Sequence, residues 1–151
     1  MLEKSSIMLE KIETEKVPKV IMLEKIETEK APKAIGPYTQ AIKVGGFVFT
    51  SGQIAIDPGT NQVEETSIEG QTRRVILNLQ AVLDAAGASL DHVVKTTCYL
   101  QNMSDFAAFN DVYARYFSAK PARSCIAARE LPRGVLVEID AVAWCINPSE
   151  S

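Results

Sequence analysis

Pro121-Ala122-Arg123-Ser124-Cys125 and, after a short loop, Val137-Glu138-Ile139-Asp140-Ala141 decide how this chain is read. In both stretches small and β-branched residues alternate with polar ones at the two-residue period of a β-strand. In the first, Arg123 and Cys125 share a face. In the second, Glu138 and Asp140 share one face, while Val135, Val137, Ile139, Ala141 and Ala143 form an unbroken apolar row on the other. The apolar row must be core, so the two carboxylates lie on the face away from it. A guanidinium, a thiol and a carboxylate on neighbouring strands suit a small carboxylate ligand with a polar reactive centre. The plain alternative is a cross-strand ion pair, worth little where solvent reaches it.

The segments upstream supply the rest of an α+β unit. Tyr38 to Val44 and Phe47 to Gln53 read as a hairpin turning at Gly45-Gly46. Asp57-Pro58-Gly59 and Thr60-Asn61 are turn chemistry. Ile68 to Ala86 is an amphipathic helix with Val75, Ile76, Leu79, Val82, Leu83 and Ala86 on one stripe. Thr66 and Glu69 have capping-box spacing, and Gly87 is the stop. Val93 to Leu100 is the next strand. Ser104 stands as cap of a second helix, whose Phe106, Phe109, Val112, Tyr113, Tyr116 and Phe117 recur at helical spacing and read as core. The resulting order, β-β-α-β-α-β-β, implies a sheet with both helices on one face. Its other face, carrying Phe47 or Phe49, Val142 and Trp144, is left open. Such a patch argues for self-association into a cyclic homo-oligomer with clefts between subunits.

Composition bounds the function. At 151 residues, 46% hydrophobic and 23% charged, the chain is one ordinary globular domain. A net charge of −3 and the lack of a basic stripe argue against nucleic acid as a partner. No stretch is apolar enough to span a membrane, and the amino terminus has neither an apolar signal core nor an arginine, so a cytoplasmic location is the expectation. Cys98, Cys125 and Cys145 are odd in number and far apart, which suggests neither a disulfide framework nor a metal site. His92 is the single histidine. It leaves no room for a histidine-rich zinc site or a Ser-His-Asp triad, and it reads as a solvated turn residue.

The amino terminus repeats itself. Residues 8–21 (MLEKIETEKVPKVI) recur as 22–35 (MLEKIETEKAPKAI), with Val17 and Val20 replaced by Ala31 and Ala34. Each unit is too short and too charged to stack as a solenoid, and Pro18 and Pro32 break any helix through both. The duplication reads as a copy of the domain's first strand or a start-site artefact, the alternative being a functional arm. Residues 1–21 are then a mobile extension, and 22–151 form the domain.

Ala34-Ile35-Gly36-Pro37-Tyr38, Thr50-Ser51-Gly52-Gln53-Ile54, Val94-Lys95-Thr96-Thr97, PARSC and VEIDAVA together resemble the Rid family, also called YjgF or L-PSP. The likeness is closest to its RidA-type imine and enamine deaminases and runs from Ile26 to Ile146. It implies a chorismate-mutase-like mixed sheet and a homotrimer with a barrel-like core and three pockets between subunits. The implied reaction is cofactor-free hydrolysis of reactive 2-imino or 2-enamino acids, such as 2-aminoacrylate, to 2-keto acids and ammonia. Such an activity removes reactive intermediates.

The resemblance also assigns residues. Arg123 matches the arginine that holds the substrate carboxylate, and its planar fork suits bidentate binding. Glu138 matches the acid that positions or activates water. Tyr38, Ser51, Gly52 and Asn110 match residues that shape the pocket or bond the ligand. Cys125 matches a pocket cysteine, and since an imine is already activated toward water, a covalent role for the thiol is not required. Asp140 matches a structural acid. The duplicated amino terminus departs from the family pattern. So does the short Ser118-Ala119-Lys120 stretch, which bears on substrate range. An endoribonuclease or translation inhibitor, and a non-catalytic trimer binding small carboxylates, are the alternatives.

Overall fold

Gly45 and Gly46 both take positive φ (+58° and +80°), the conformation a two-residue hairpin turn demands. They join β2 (Ala41–Val44) to β3 (Phe47–Thr50), as expected, though both strands are shorter than the sequence suggests. The structure, a computed structural model, describes residues 22–145. The extension assigned to 1–21 lies outside that range, as does everything after Cys145. At the start of the described chain a further short strand, β1 (Glu24–Ile26), pairs antiparallel with β2.

The remaining strands are β4 (Val93–Leu100), β5 (Ala122–Ala127) and β6 (Val137–Trp144), and the sheet order is β1-β2-β3-β6-β4-β5. Among these only β4 and β5 run parallel. A parallel pair needs a crossover, and helix α2 (Phe106–Tyr116) supplies it. Helix α1 (Ile68–Ala85) buries Val75, Ile76, Leu79, Val82 and Leu83, the stripe its period dictates. Phe109, Val112, Tyr113 and Phe117 are buried along α2, while Phe106 and Tyr116 are half-buried. The alternate residues Val137, Ile139, Ala141 and Ala143 of β6 face this core, so both helices cover one face of a mixed sheet.

Both helix caps differ from the sequence expectation. Ser67, one residue beyond Thr66, has the extended backbone of an N-cap, and its Oγ accepts from the Gly70 amide at 3.0 Å. Ahead of α2 a 3₁₀ turn (Met103–Asp105) runs straight into the helix. Asp105 therefore holds the cap position in helical geometry (φ −85°, ψ 0°) and neither it nor Ser104 makes the capping bond expected there. Gly87 ends α1 at φ +82° as anticipated. The last turn of that helix has no basic residue of its own, and Lys43 of β2 donates to the Ala86 carbonyl at 3.1 Å. His92 is the exposed turn residue it was read as, within hydrogen-bond reach of Ser89 Oγ at 3.3 Å.

The pairing of β3 with β6 is interrupted in a way that bears on function. After Phe49 pairs with Val142, the Thr50 side chain accepts the Ala141 amide at 2.9 Å. The ladder resumes at Gln53, which exchanges both backbone bonds with Ile139. Ser51 and Gly52 bulge out between these points.

Candidate active site

Register fixes which side chains can meet. Cys98 on β4 lies opposite Cys125 on β5 and Ile139 on β6, and Thr96 lies opposite Arg123 and Ala141. Arg123 and Cys125 therefore share the helix-covered face with Ile139. Glu138 and Asp140 project from the other face, beside Tyr99 and Thr97. The expectation that these groups sit on neighbouring strands is corrected: β4 runs between β5 and β6, and the guanidinium and the carboxylates lie on opposite sides of the sheet. Alternation along a single strand could not reveal this, because it leaves the relation between strands undetermined. A cross-strand ion pair between Arg123 and Glu138 is excluded by the same register.

On the covered face, Arg123 is held at the sheet's edge against α2. Its Nη1 donates to Asn110 Oδ1 at 2.7 Å. The guanidinium carbon lies 4.8 Å from the ring centre of Tyr113, 5.5 Å from Phe106 and 5.8 Å from Phe109. A cation over aromatic rings is stabilised without a carboxylate partner. Among the described residues the bond to Asn110 is the one hydrogen bond of this guanidinium. Four N–H groups therefore remain for a ligand carboxylate. The Tyr113 hydroxyl is fixed in turn by Thr96 Oγ1 at 2.7 Å. Tyr113 and Thr96 are positioning residues that the sequence reading missed: Tyr113 was absorbed into the aromatic stripe, and nothing marked Thr96 as its partner.

Cys125 is half-buried beside this cluster. Burial pushes its thiol above the ordinary range, and the Arg123 charge only partly offsets that. Cys98, its cross-strand neighbour, is fully buried and pushed up to about 12 by desolvation, with its bond to Thr96 Oγ1 acting in the opposite direction. Neither environment favours a thiolate.

On the open face, Glu138 lies over the Ser51-Gly52 bulge. A Cβ added at Gly52 would come within 2.8 Å of Glu138 Oε2, so glycine is required for the carboxyl to rest there. Burial raises the Glu138 pKa above the usual carboxylate value, and the neighbouring Asp140 charge raises it further. Asp140 is also raised by burial, while a bond from Tyr99 and the Lys95 charge pull the other way. Ser51 donates through Oγ to the Thr39 carbonyl and through its amide to Gln40. That fixes the bulge to the chain leading from Tyr38, which is 55% exposed. Tyr38 also borders a cleft of about 750 Å³ with Ile35, Gly36, Gln40, Pro58 and Asn61. A second cleft, of about 310 Å³, lies along α1 at Gln80 and Asp84. Arg123, Cys125 and Glu138 line neither.

The candidate residues thus form two groups. Asn110, Arg123 and Cys125 come together on the covered face, and Ser51, Gly52 and Glu138 do so on the open one, with Tyr38 on the chain tied to the bulge. Phe47 and Phe49 both lie on the open face, joined by Val142 and Trp144, and the three aromatic side chains are exposed. Among the described residues no cluster of His, Cys, Asp and Glu is placed to hold a metal ion, and no helix is long and apolar enough to cross a membrane.

Known proteins resemble this chain in sequence and in fold. The sequence pattern of the family described as Endoribonuclease L-PSP matches residues 28–145. The chain belongs to this family, which is the Rid or YjgF family. A RutC family protein of Pyrococcus abyssi is 54% identical over 136 residues, covering 89% of this chain and 96% of its own length. The crystal structure of YyfA, a Rid protein of unknown function from Yersinia pestis, is 46% identical with a TM-score of 0.79, covering 82% of this chain and 99% of that one. Escherichia coli TdcF, solved with bound serine, is 38% identical with a TM-score of 0.78, again covering 82% and 99%. The family assignment made from the five sequence motifs is therefore correct, and so is the α+β fold it implied.

Proposed function

We propose that this Rid protein hydrolyses 2-imino and 2-enamino acids to 2-keto acids and ammonia, as a RidA-type 2-iminobutanoate/2-iminopropanoate deaminase. The observation that carries the reading is the Arg123 guanidinium, steadied by Asn110 and Tyr113 yet with most of its donors free. A group built this way is an acceptor for a small carboxylate. The serine bound to TdcF is a small molecule carrying a carboxylate, which supports the same reading.

The opposite placement of Arg123 and Glu138 supports a homotrimer in which the covered-face edge of one copy meets the open face of the next. Each pocket then takes Arg123, Asn110 and Cys125 from one chain and Glu138, Ser51, Gly52 and Tyr38 from its neighbour, across a surface that covers Phe47, Phe49 and Trp144. In that pocket the substrate carboxylate forks onto Arg123. Glu138, with a raised pKa that makes it a stronger base than an ordinary carboxylate, takes a proton from water as the oxygen bonds to C2. The C=N electron pair moves onto the nitrogen, which takes that proton to give a 2-amino-2-hydroxy acid. The hydroxyl proton then passes to the same nitrogen as the C–N bond breaks, and ammonia leaves with the keto acid. An enamine first tautomerises to the imine by gaining a proton at C3 and losing one from nitrogen. One water is consumed and no redox partner is needed. Cys125 stays a thiol and lines the pocket. A ribonuclease reading has the family's description behind it. The net charge of −3 gives it no electrostatic footprint for a polyanion. A cytoplasmic site of action fits the proposed substrates, which arise in amino-acid metabolism.

The test couples an amino-acid oxidase, which generates the imine, to this protein and follows imine decay. Faster appearance of keto acid and ammonia is the expected result. An unchanged decay rate with folded protein overturns the assignment. Light scattering at micromolar concentration is expected to give a trimer, and a monomer overturns the shared pocket.

A further inference from the structure

The arch that leads into the domain is held almost entirely through its main chain. Gln40, buried behind it, accepts from the Thr28 amide at 2.7 Å and donates through Nε2 to the carbonyls of Thr28 (3.0 Å) and Pro32 (2.8 Å). Thr39 Oγ1 donates to the Ile26 carbonyl at 3.1 Å, and Glu24, Lys25 and Ile26 pair with β2 through backbone bonds. None of these bonds reads a side chain of the arch. The side chains closed into the seat are Ile26 and Ala31, at 5% and 2% exposure.

Residues 8–21 repeat the arch at a spacing of 14, differing only at Val17 and Val20, with Ile12 matching Ile26, Thr14 matching Thr28 and Pro18 matching Pro32. We propose that the seat holding residues 22–35 also accepts residues 8–21 of the same chain, so that the edge strand exchanges between the two copies. Every main-chain bond of the seat would be remade on the first copy. The exit is open: Ile35 is 66% exposed and Gly36 is exposed, so a looped-out second copy leaves into solvent without crossing the core. Val17 and Val20 set the balance. Val20 falls at the half-buried place of Ala34, but Val17 overfills the closed place of Ala31. Together with closure of the longer loop this makes the exchanged register the minor one, on the order of one molecule in 10²–10⁴. The proposal is independent of the catalytic reading, since it concerns the arch and not Arg123 or Glu138.

The experiment is hydrogen exchange by mass spectrometry on the full chain carrying Val17→Ala, which relieves the overpacking. Ile12→Asp alone is expected to be silent. Ile26→Asp unseats the second copy and gives 22–30 a mass distinct from 8–16. Protection is then expected to move onto 8–16, and residues 41–44 of β2 to stay within about 10²-fold of their parent protection, the cost of the loop. Adding Ile12→Asp to Ile26→Asp should abolish protection of 8–16 and lower that of 41–44 at least a further tenfold or so. Equal exchange in the single and double variants overturns the proposal. So does protection of 8–16 that rises with protein concentration, which would mean docking on a neighbouring copy.

Discussion

The two faces of this sheet hold charges of opposite sign under opposite conditions. Beneath the helices the half-buried Arg123 is steadied by an amide acceptor, three aromatic rings, and a tyrosine fixed by a threonine. On the open face Glu138 and Asp140 stand on one strand, each raised in pKa, beside exposed Phe47, Phe49 and Trp144. The covered face is finished within one chain and the open face is not. In the proposed trimer, this carboxylate on a surface rimmed by aromatic residues is the half of a site that a partner completes.

The largest effect should come from removing the finished half. Arg123→Ala loses a charge-assisted bond of about 1.5–3 kcal/mol and with it the orientation of the substrate, so kcat/KM should fall by a factor on the order of 10³ or more. Near-parental turnover with an intact fold would show that the cluster around Arg123 is structural. Glu138→Gln should cut kcat by roughly 10²–10⁴, the usual worth of a general base, with little change in product affinity because the amide keeps the carboxylate's shape.

Mixing these two inactive chains tests the faces directly. If each pocket draws Arg123 from one copy and Glu138 from another, random reassembly of equal amounts restores both residues in about a quarter of the pockets. Activity should return to that fraction after the mixture is dissociated and reassembled. If both residues served a pocket within one chain, no mixture of the two variants could recover activity.

How much of this was legible in the sequence depends on the kind of information each feature needs. The α1 stripe was readable because one helical period decides which of its residues are buried. The Gly45-Gly46 turn was readable because few residues tolerate positive φ. Arg123 and Glu138 were found as residues, from alternation and from the family motifs, yet their mutual placement was misread. Alternation fixes faces within β5 and within β6. Only the pairing of β4 with both strands puts the two residues on opposite sides. Tyr113 and Thr96 were missed for a related reason. Their partnership spans a helix and a strand, and a tyrosine in an aromatic stripe carries no mark of the cation above it. The Ser51-Gly52 bulge was read as strand because Thr50 substitutes its side chain for a backbone acceptor, which no pattern announces.

A smaller effect concerns the open face alone. The base must be ionised to act, so the acid limb of kcat/KM should follow the pKa of Glu138 in the free enzyme. Burial raises that pKa and the Asp140 charge raises it again. Asp140→Asn removes one negative neighbour, so ionisation of Glu138 becomes easier and the acid limb should move to lower pH. A limb that stays in place would mean another group sets it, and one that moves to higher pH would reverse the sign of the coupling.

The smallest effect is expected at Cys125. A nucleophilic role would need the thiolate, and Arg123 beside it would favour one, but burial outweighs that charge and holds the thiol above its ordinary range. At neutral pH the group is then protonated, with Cys98 behind it more strongly so. Serine keeps the shape and a weak donor, and since no bond to sulfur forms, Cys125→Ser should retain activity within roughly an order of magnitude of the parent. The measurement is decisive when paired with Glu138→Gln. A dead serine variant beside a working glutamine variant would move the reacting group to the covered face and leave the open face as assembly surface only.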